Sequence, residues 1–355
     1  MIQTMIDNNF ILINRKDIDR YVWDTFVDLS DDAWLWHRFD LQDALCTWPN
    51  RQDMSFAVIN PNEGNQIVAI VPFHFISYGV YRWLRLNKFD SMGGIACAPG
   101  LDKQYKRKIL TFIVKKMMGL AKDNFAYEIT ISIPPMTTAF CGYRCPLVNP
   151  LLELGFENTL TQTWVVNLQQ DKDRIWENME KRARGAIRKA EKQGLIIHQA
   201  TSKDLDTYYK LHCETYHRTG VRPHPKAYFE GIWNNFLSKN LVYILIAEKN
   251  DIPVAAENFG IYKQAAIYWT GASSDLGLSM QANSLLQWTA IQWMKDNNIN
   301  FYETGEAFPH VTVGKLKGLN DFKKSFGGDL YPYYRGRMII NKNIFYLMDC
   351  LKRII

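Results

Sequence analysis

The chain has 355 residues, enough for about two domains at roughly 150 residues each. Apolar residues make up 47%, charged residues 22% and aromatics 14%, which excludes a disordered or low-complexity protein and leaves ample material for packed cores. The net charge of +6 conceals an uneven distribution. Lys181–Lys192 carries a net +5 and Lys315–Arg337 a net +4, so the remainder is about −3. Positive charge gathered in two places points to an anionic ligand more than to general stickiness.

The most apolar run, Ile67–Ile76, is short and contains Pro72 and His74, so no membrane span is expected. Met1-Ile2-Gln3-Thr4 lacks a basic segment followed by an apolar one, and a cytoplasmic protein is expected. The six cysteines form no disulfide framework, and Cys141-x-x-x-Cys145 has no matching pair nearby. His212 and His217 stand five apart, off the four-residue spacing that shares a helix face, and no metal site is read.

Along the chain, Asp17–Leu29 and Trp34–Leu45 have helical spacing. Ser55–Asn60 and Gln66–Phe75 read as a hairpin around Pro61-Asn62-Glu63-Gly64. A glycine-rich loop, Gly93–Gly100, precedes a helix over Lys103–Lys122 and a strand over Ala126–Ile133. The second half repeats this order. A basic helix spans Arg174–Gln193 with Gly194 as its C-cap residue. A second helix, Lys203–Arg218, has Ser202 as N-cap and ends near Gly220. Strands follow over Leu241–Glu248, Pro253–Tyr262 and Ala265–Thr270, then the loop Gly271–Gly277, a helix over Gln281–Asn297 and a strand over Asn300–Thr304. The repeat predicts an α+β (α/β) chain of tandem domains, each a mixed, mostly antiparallel sheet flanked by helices. The expected bounds are 1–150, 151–340 and a helical tail over 341–355.

A meander that runs through a loop into a helix N-terminus is similar to the acyl-CoA site of the GNAT acetyltransferase fold, where backbone N–H groups hold a pyrophosphate. The phosphate motif of that fold is only partly matched, by Ser274-x-x-Gly277-x-Ser279.

Five blocks carry a more specific likeness: Arg184-Gly185-Ala186-Ile187-Arg188-Lys189-Ala190, Thr215–Gly220, Tyr268-Trp269-Thr270-Gly271-Ala272-Ser273, Asn283–Trp288 and Gly318–Gly328. In this order they resemble the FemAB-type transferases, which combine tandem GNAT-like domains. The best-known members take aminoacyl-tRNA as donor to extend the peptide of peptidoglycan precursors. The long coiled-coil arm of the tRNA-binding members has no counterpart between Gly194 and Leu241, so the chain resembles a compact member. In the first half the likeness is confined to Trp34-x-Trp36-His37-Arg38, which makes Arg38 a substrate-binding candidate.

The resemblance implies an acyltransferase acting on an amine of a cell-envelope precursor, a small-molecule, lipid-linked or nucleotide-linked glycan. The donor is aminoacyl-tRNA or acyl-CoA, with no tightly bound cofactor. The alternative is a non-catalytic protein that binds an anionic nucleotide or glycan on the same fold. Lys323, directly after Phe322, is the implied stabiliser of the transition state; acyl transfer needs a cation near the oxyanion, and Phe322 and Phe326 flank it. Without the resemblance, Lys323 and Lys324 read as a surface pair on a strand or turn. Glu303, Glu306, His310 and the mid-strand Glu257 are candidates for moving the amine proton, Glu303 foremost. Lys181, Arg184, Arg188 and Lys192 form one helical stripe suited to phosphate or carboxylate, or a solvated face. Arg218 reads equally as a carboxylate ligand or as a complement to its helix C-terminus. Tyr268, Gly271, Ser273, Asn283 and Lys324 complete the substrate-binding candidates, although Asn283 also suits a helix cap and Tyr268 a core position.

Overall fold

The structure, a computed structural model, describes residues 10–81, 84–142, 145–308 and 310–346. It divides into two units, one running to Leu160 and resuming at Tyr333, the other spanning Thr161–Pro332. Residues 151–160 and 333–340, expected in the second domain, therefore belong to the first. The reason is packing: Leu151 and Phe156 are buried in the first core, and they press on Gly336 so closely that a Cβ there would lie 2.9 Å from Phe156.

The first unit opens with β1 (Ile11–Asn14), α1 (Arg20–Leu29) and α2 (Phe39–Leu45). It continues with β2 (Arg51–Asp53), β3 (Phe56–Asn60), β4 (Gln66–Val71), β5 (His74–Tyr81), β6 (Leu84–Met92), β7 (Ala96–Cys97), α3 (Lys103–Asp123), β8 (Ala126–Ile133) and β9 (Glu157–Asn158). Strands β1-β3-β4-β7 form one antiparallel sheet; β2, β5, β6 and β8 pair in that order, and β16 (Asp329–Ile339) lies against β8 from Tyr334 onward. The hairpin over residues 61–64 is present, with Asn60 accepting from Asn62 N–H and Gly64 left-handed at φ 70°. Asp102 caps α3 by accepting from the N–H groups of Gln104 and Tyr105. The core stacks Phe73 on Phe89 at 4.4 Å beneath Ile109, Ile113 and Met117 of α3. Of the tail, residues 342–346 are helical and 347–355 lie outside the described residues.

The second unit contains β10 (Thr161–Asn167), α4 (Lys172–Asn178), α5 (Lys181–Lys192), β11 (Ile196–Gln199), α6 (Leu205–Thr219) and α7 (Lys226–Ile232). Then come β12 (Val242–Lys249), β13 (Ile252–Tyr262), β14 (Ala265–Ser273), α8 (Asp275–Ser279), α9 (Ala282–Asp296), β15 (Phe301–Ala307) and α10 (Gly314–Lys324). The strand order is β11-β12-β13-β14-β15-β10, and only β14 and β15 run parallel. Ala183, Ile187 and Ala190 of α5 and Leu286, Ala290 and Met294 of α9 close one core over the sheet.

Three local expectations need correction. The basic helix is two helices, broken where Met179 and Glu180 turn extended so that Glu180 N–H can reach the Ser325 carbonyl at 2.9 Å. Thr201, not Ser202, caps a short 3-10 turn ahead of α6. The loop over 271–277 is strand to Ser273 and then the five-residue α8. Gly194 and Gly220 do end their helices, at φ 68° and 72°.

Candidate functional site

The geometry of the second unit turns on one parallel pair. Strands β14 and β15 are in register only from Ala265–Ile267 against Phe301–Glu303; beyond that, each runs on without the other. Two bulges produce the parting. Trp269 is an extra residue against β13, between Tyr268 opposite Phe259 and Thr270 opposite Asn258. Thr304 is an extra residue against β10, between Glu303 opposite Val165 and Gly305 opposite Trp164. A bulge bends and overtwists its strand, and bulges just past the same point on neighbouring strands swing the two apart. In the first unit the equivalent parallel pair, β6 with β8, shifts register once, between Asn87 and Lys88, and then runs paired from Lys88 to Met92.

Lys323 sits where β15 has left β14. It is 9% exposed, and its Nζ donates to the Glu306 carbonyl at 3.0 Å. Burial pushes its pKa below the usual lysine value, while the nearby carboxylates of Glu306 and Glu303 favour the charged form. The ring close to this ammonium is Phe308, 5.6 Å to its centroid. Phe322 and Phe326 do not flank it; they pack edge-on against each other at 5.0 Å and join the core. The pair is neither strand nor turn: both lysines end α10, so the next residue, Lys324, rotates to the exposed side. Lys324 lines a separate cleft of about 350 Å³ with Asn178, Glu180 and Gly327.

The block Gly318–Gly328 is largely architectural around this lysine. Asn320 Oδ1 accepts from Trp164 Nε1 at 3.1 Å and from the Phe308 N–H at 2.9 Å. A Cβ on Gly327 would stand 2.7 Å from the Asn178 carbonyl, and one on Gly328 3.0 Å from the Val165 backbone. Glu303 is buried and accepts from Thr163 Oγ1 at 2.8 Å. Glu306 accepts from Thr161 Oγ1 at 3.1 Å, and His310 is exposed.

On the other arm, Tyr268 is the first residue of β14 past the parting. The bulge puts its side chain on the face of Gly271, whose missing Cβ would lie 1.8 Å from the Tyr268 hydroxyl. Asn283 does not cap α9; its Nδ2 donates to the buried Glu257 at 3.0 Å. Ser273 presents both backbone groups to Thr215 Oγ1, at 2.8 and 3.0 Å, and its own hydroxyl lies 3.4 Å from Arg218 Nη2. Arg218 also pairs with the exposed Asp275 at 3.2 Å. The Gly277 N–H is taken by the Ser274 side chain at 3.2 Å, so that part of the expected phosphate cradle is already occupied.

The remaining candidates stand elsewhere. Arg184 reaches the Glu177 carbonyl at 3.4 Å and Arg188 lies 5.4 Å from the Trp176 ring, both on the outer face of α5. Arg38 belongs to the first unit, where it is buried in ion pairs with Asp24 at 2.7 Å and Asp28 at 2.8 Å. Residue-by-residue reading missed Gly305, Phe308, Thr163, Gln287 and Tyr302. The signal for one of them was available: Gly305 breaks a strand of larger residues, the mark of a bulge or close approach. No group of metal-ligating side chains is found among the described residues, and none of their helices is long and apolar enough to cross a membrane.

Comparison with known proteins agrees with this architecture. Residues 151–250 match the FemAB family. None of the curated proteins matches the chain by sequence. Among solved structures, FemX superposes with a TM-score of 0.68 at 15% identity, covering 95% of this chain and 99% of that one. The C-terminal domain of a putative lysylphosphatidylglycerol synthetase from Agrobacterium fabrum gives 0.58 at 13% identity, over 95% and 96%. A tandem GNAT protein from the clavulanic acid biosynthesis pathway gives 0.52 at 9% identity, over 93% and 98%. The fold is that of tandem GNAT-like proteins.

Proposed function

Taking a FemAB-type, GNAT-like chain as premise, we propose that this protein transfers an acyl or aminoacyl group to an amine of a cell-envelope precursor, in the cytoplasm. The observation that carries the reading is the buried Lys323 ammonium placed where β15 has parted from β14. When the amine attacks the donor carbonyl, negative charge develops on its oxygen, and a cation in a partly dry site stabilises that charge far better than one in water. The Glu306 carbonyl takes one of the three Lys323 protons and orients the group, leaving two for the oxyanion. The carboxylates of Glu306 and then Glu303, the latter held by Thr163, act as the counter-charge that favours the protonated form of Lys323.

The donor is aminoacyl-tRNA or an acyl-CoA, and the half-buried Arg184 and exposed Arg188 offer phosphate contacts on α5 to either. The acceptor is a lipid- or nucleotide-linked glycan of peptidoglycan or surface-glycan type. The putative lysylphosphatidylglycerol synthetase among the structural neighbours supports an aminoacyl donor, and the tandem GNAT protein a CoA donor.

The test is a panel of acyl-CoAs and charged tRNAs against amine-bearing envelope precursors, with mass spectrometry of the acceptor. A donor-dependent mass gain that falls about 100-fold in Lys323→Ala is the expected result. No transfer from any donor, with precursor binding retained, replaces the enzyme by a binding protein.

A further inference from the structure

A fully buried carboxyl lies at the point where β14 and β15 separate. Glu257, in the middle of β13, accepts from Asn283 Nδ2 at 3.0 Å on one oxygen and from Gln287 Nε2 at 2.9 Å on the other. Asn283 and Gln287 are one turn apart on α9, so the helix grips the carboxyl with two amides on one face. Tyr268 adds its hydroxyl from β14. Tyr302 of β15 donates to Gln287 Oε1, which fixes which way that amide faces. The last in-register pair is Ile267 with Glu303, so Tyr268 is the first residue past the parting on one arm and Tyr302 the second-last before it on the other. A single carboxyl is thus bonded directly to β14 and α9, and through Gln287 to Tyr302 of β15.

We propose that Glu257 is a positioning residue for the transfer site, which ties both arms to α9 and sets through Tyr268 the hydrogen-bond polarity of the first side chain on the open arm. When Glu257 is ionised, both oxygens accept and the Tyr268 O–H points inward to it. When Glu257 is protonated, its own O–H can donate to the Tyr268 oxygen, and the tyrosine proton turns outward. The titratable groups around it are Tyr268 and Tyr302, with Tyr208 of α6; all three are held protonated by burial. Among the described residues no cation offsets the burial of Glu257, whose pKa is pushed up to about 8. The switch therefore falls within the range where an amine acceptor changes its own protonation.

The kinetic half of this inference rests on the transfer reading; the spectroscopic half does not. In infrared difference spectra of the full chain over about pH 6–10, wild type minus Glu257→Gln, a protonated carboxyl band should give way to carboxylate with a midpoint near pH 8. Tyr268→Phe removes a hydrogen bond to the ionised form and should raise that midpoint. A carboxylate band at every pH, or a midpoint indifferent to Tyr268→Phe, overturns the proposal whether or not the protein transfers anything. With the donor and acceptor pair found active, Glu257→Gln should lower kcat about tenfold, leave KM within about twofold and erase the inflection near pH 8. Tyr268→Phe should do the same, and the double variant should be no worse than either. An unchanged kcat and pH profile in both variants overturns it. If Glu257→Gln does not fold, Tyr268→Phe carries both measurements.

Discussion

Gly305 and Lys323 fit each other as a hollow fits a side chain: a Cβ on residue 305 would stand 3.0 Å from Lys323 Nζ and 3.1 Å from its Cε. The glycine also holds φ at 108°, a conformation that side chains rarely adopt. Gly305→Ala is expected to cost about 1–3 kcal/mol in a denaturant melt from the backbone alone. It should also displace the ammonium from the Glu306 carbonyl, so transfer should fall further than the loss of folded protein explains. Full specific activity in the folded Gly305→Ala protein would separate Lys323 from the chemistry.

Lys323 itself makes a pH prediction. Its folded pKa lies below the 10.5 of an unfolded lysine, chiefly through burial. Between those two values the unfolded chain binds more protons than the folded one, so stability rises with pH across that window. Below that window the desolvation penalty of the charged group is present in full. Lys323→Met keeps the length and removes the charge. Its stability at pH 7 should stay within about 1 kcal/mol of wild type, the lost penalty offset by leaving the Glu306 and Glu303 carboxylates without that counter-charge. The alkaline rise should vanish. Melting curves from neutral pH to pH 10 in both proteins check this, and an identical rise in the variant would assign it to another group.

Much of the scaffold was readable from local pattern, and the site was readable only in part. The long helices α3, α5 and α9 follow from apolar spacing, and the turn at residues 61–64 from Pro-Asn-Glu-Gly chemistry. The hairpin of β5 and β6 escaped because charged and aromatic residues alternate through it without a turn signal as plain as the earlier one. Lys323 was singled out by resemblance, but its neighbours were read from adjacent positions, Phe322 and Phe326. On a helix, adjacent residues point about 100° apart, so its ring partner comes from Phe308, beyond the end of β15. The parting of β14 and β15 depends on two bulges, a property of register between strands that no single stretch encodes. Glu257 was visible as a lone carboxylate within a buried strand, yet its partners lie 26 and 30 residues away on α9.

Asn320 gathers two buried donors on one oxygen, Trp164 Nε1–H and the Phe308 N–H. Asn320→Ala leaves both without that acceptor, at about 1–3 kcal/mol for each donor that water cannot reach. Asn320→Asp keeps the acceptor and adds a charge beside Lys323, so it should fold better than the alanine variant. Tryptophan fluorescence during denaturant unfolding reports the first effect directly. A melt of Asn320→Ala indistinguishable from wild type would show that Trp164 and the Phe308 N–H find other partners.

In the first unit, Arg15 is 1% exposed and bridges Asp43 and Asp53, with Nε 2.8 Å from Asp53 and the guanidinium 4.1 Å over the Phe39 ring. Burial alone would raise the Asp53 pKa; the charge of Arg15 together with hydrogen bonds from Ser55 and Arg15 overcomes it and holds the carboxyl below 3.8. The folded state therefore binds fewer protons than the unfolded chain as pH falls through that range, so the stability Asp53 contributes is present at neutral pH and lost on acidification. Arg15→Ala strands a buried carboxylate and should cost about 3–5 kcal/mol at pH 7. Its deficit should shrink toward pH 3, because Asp53 without its partner protonates earlier and sheds its charge. Urea melts of both proteins at neutral and acid pH measure the difference. A deficit that stays constant across that range would assign the contribution of Arg15 to its packing on Phe39, not to the ion pair.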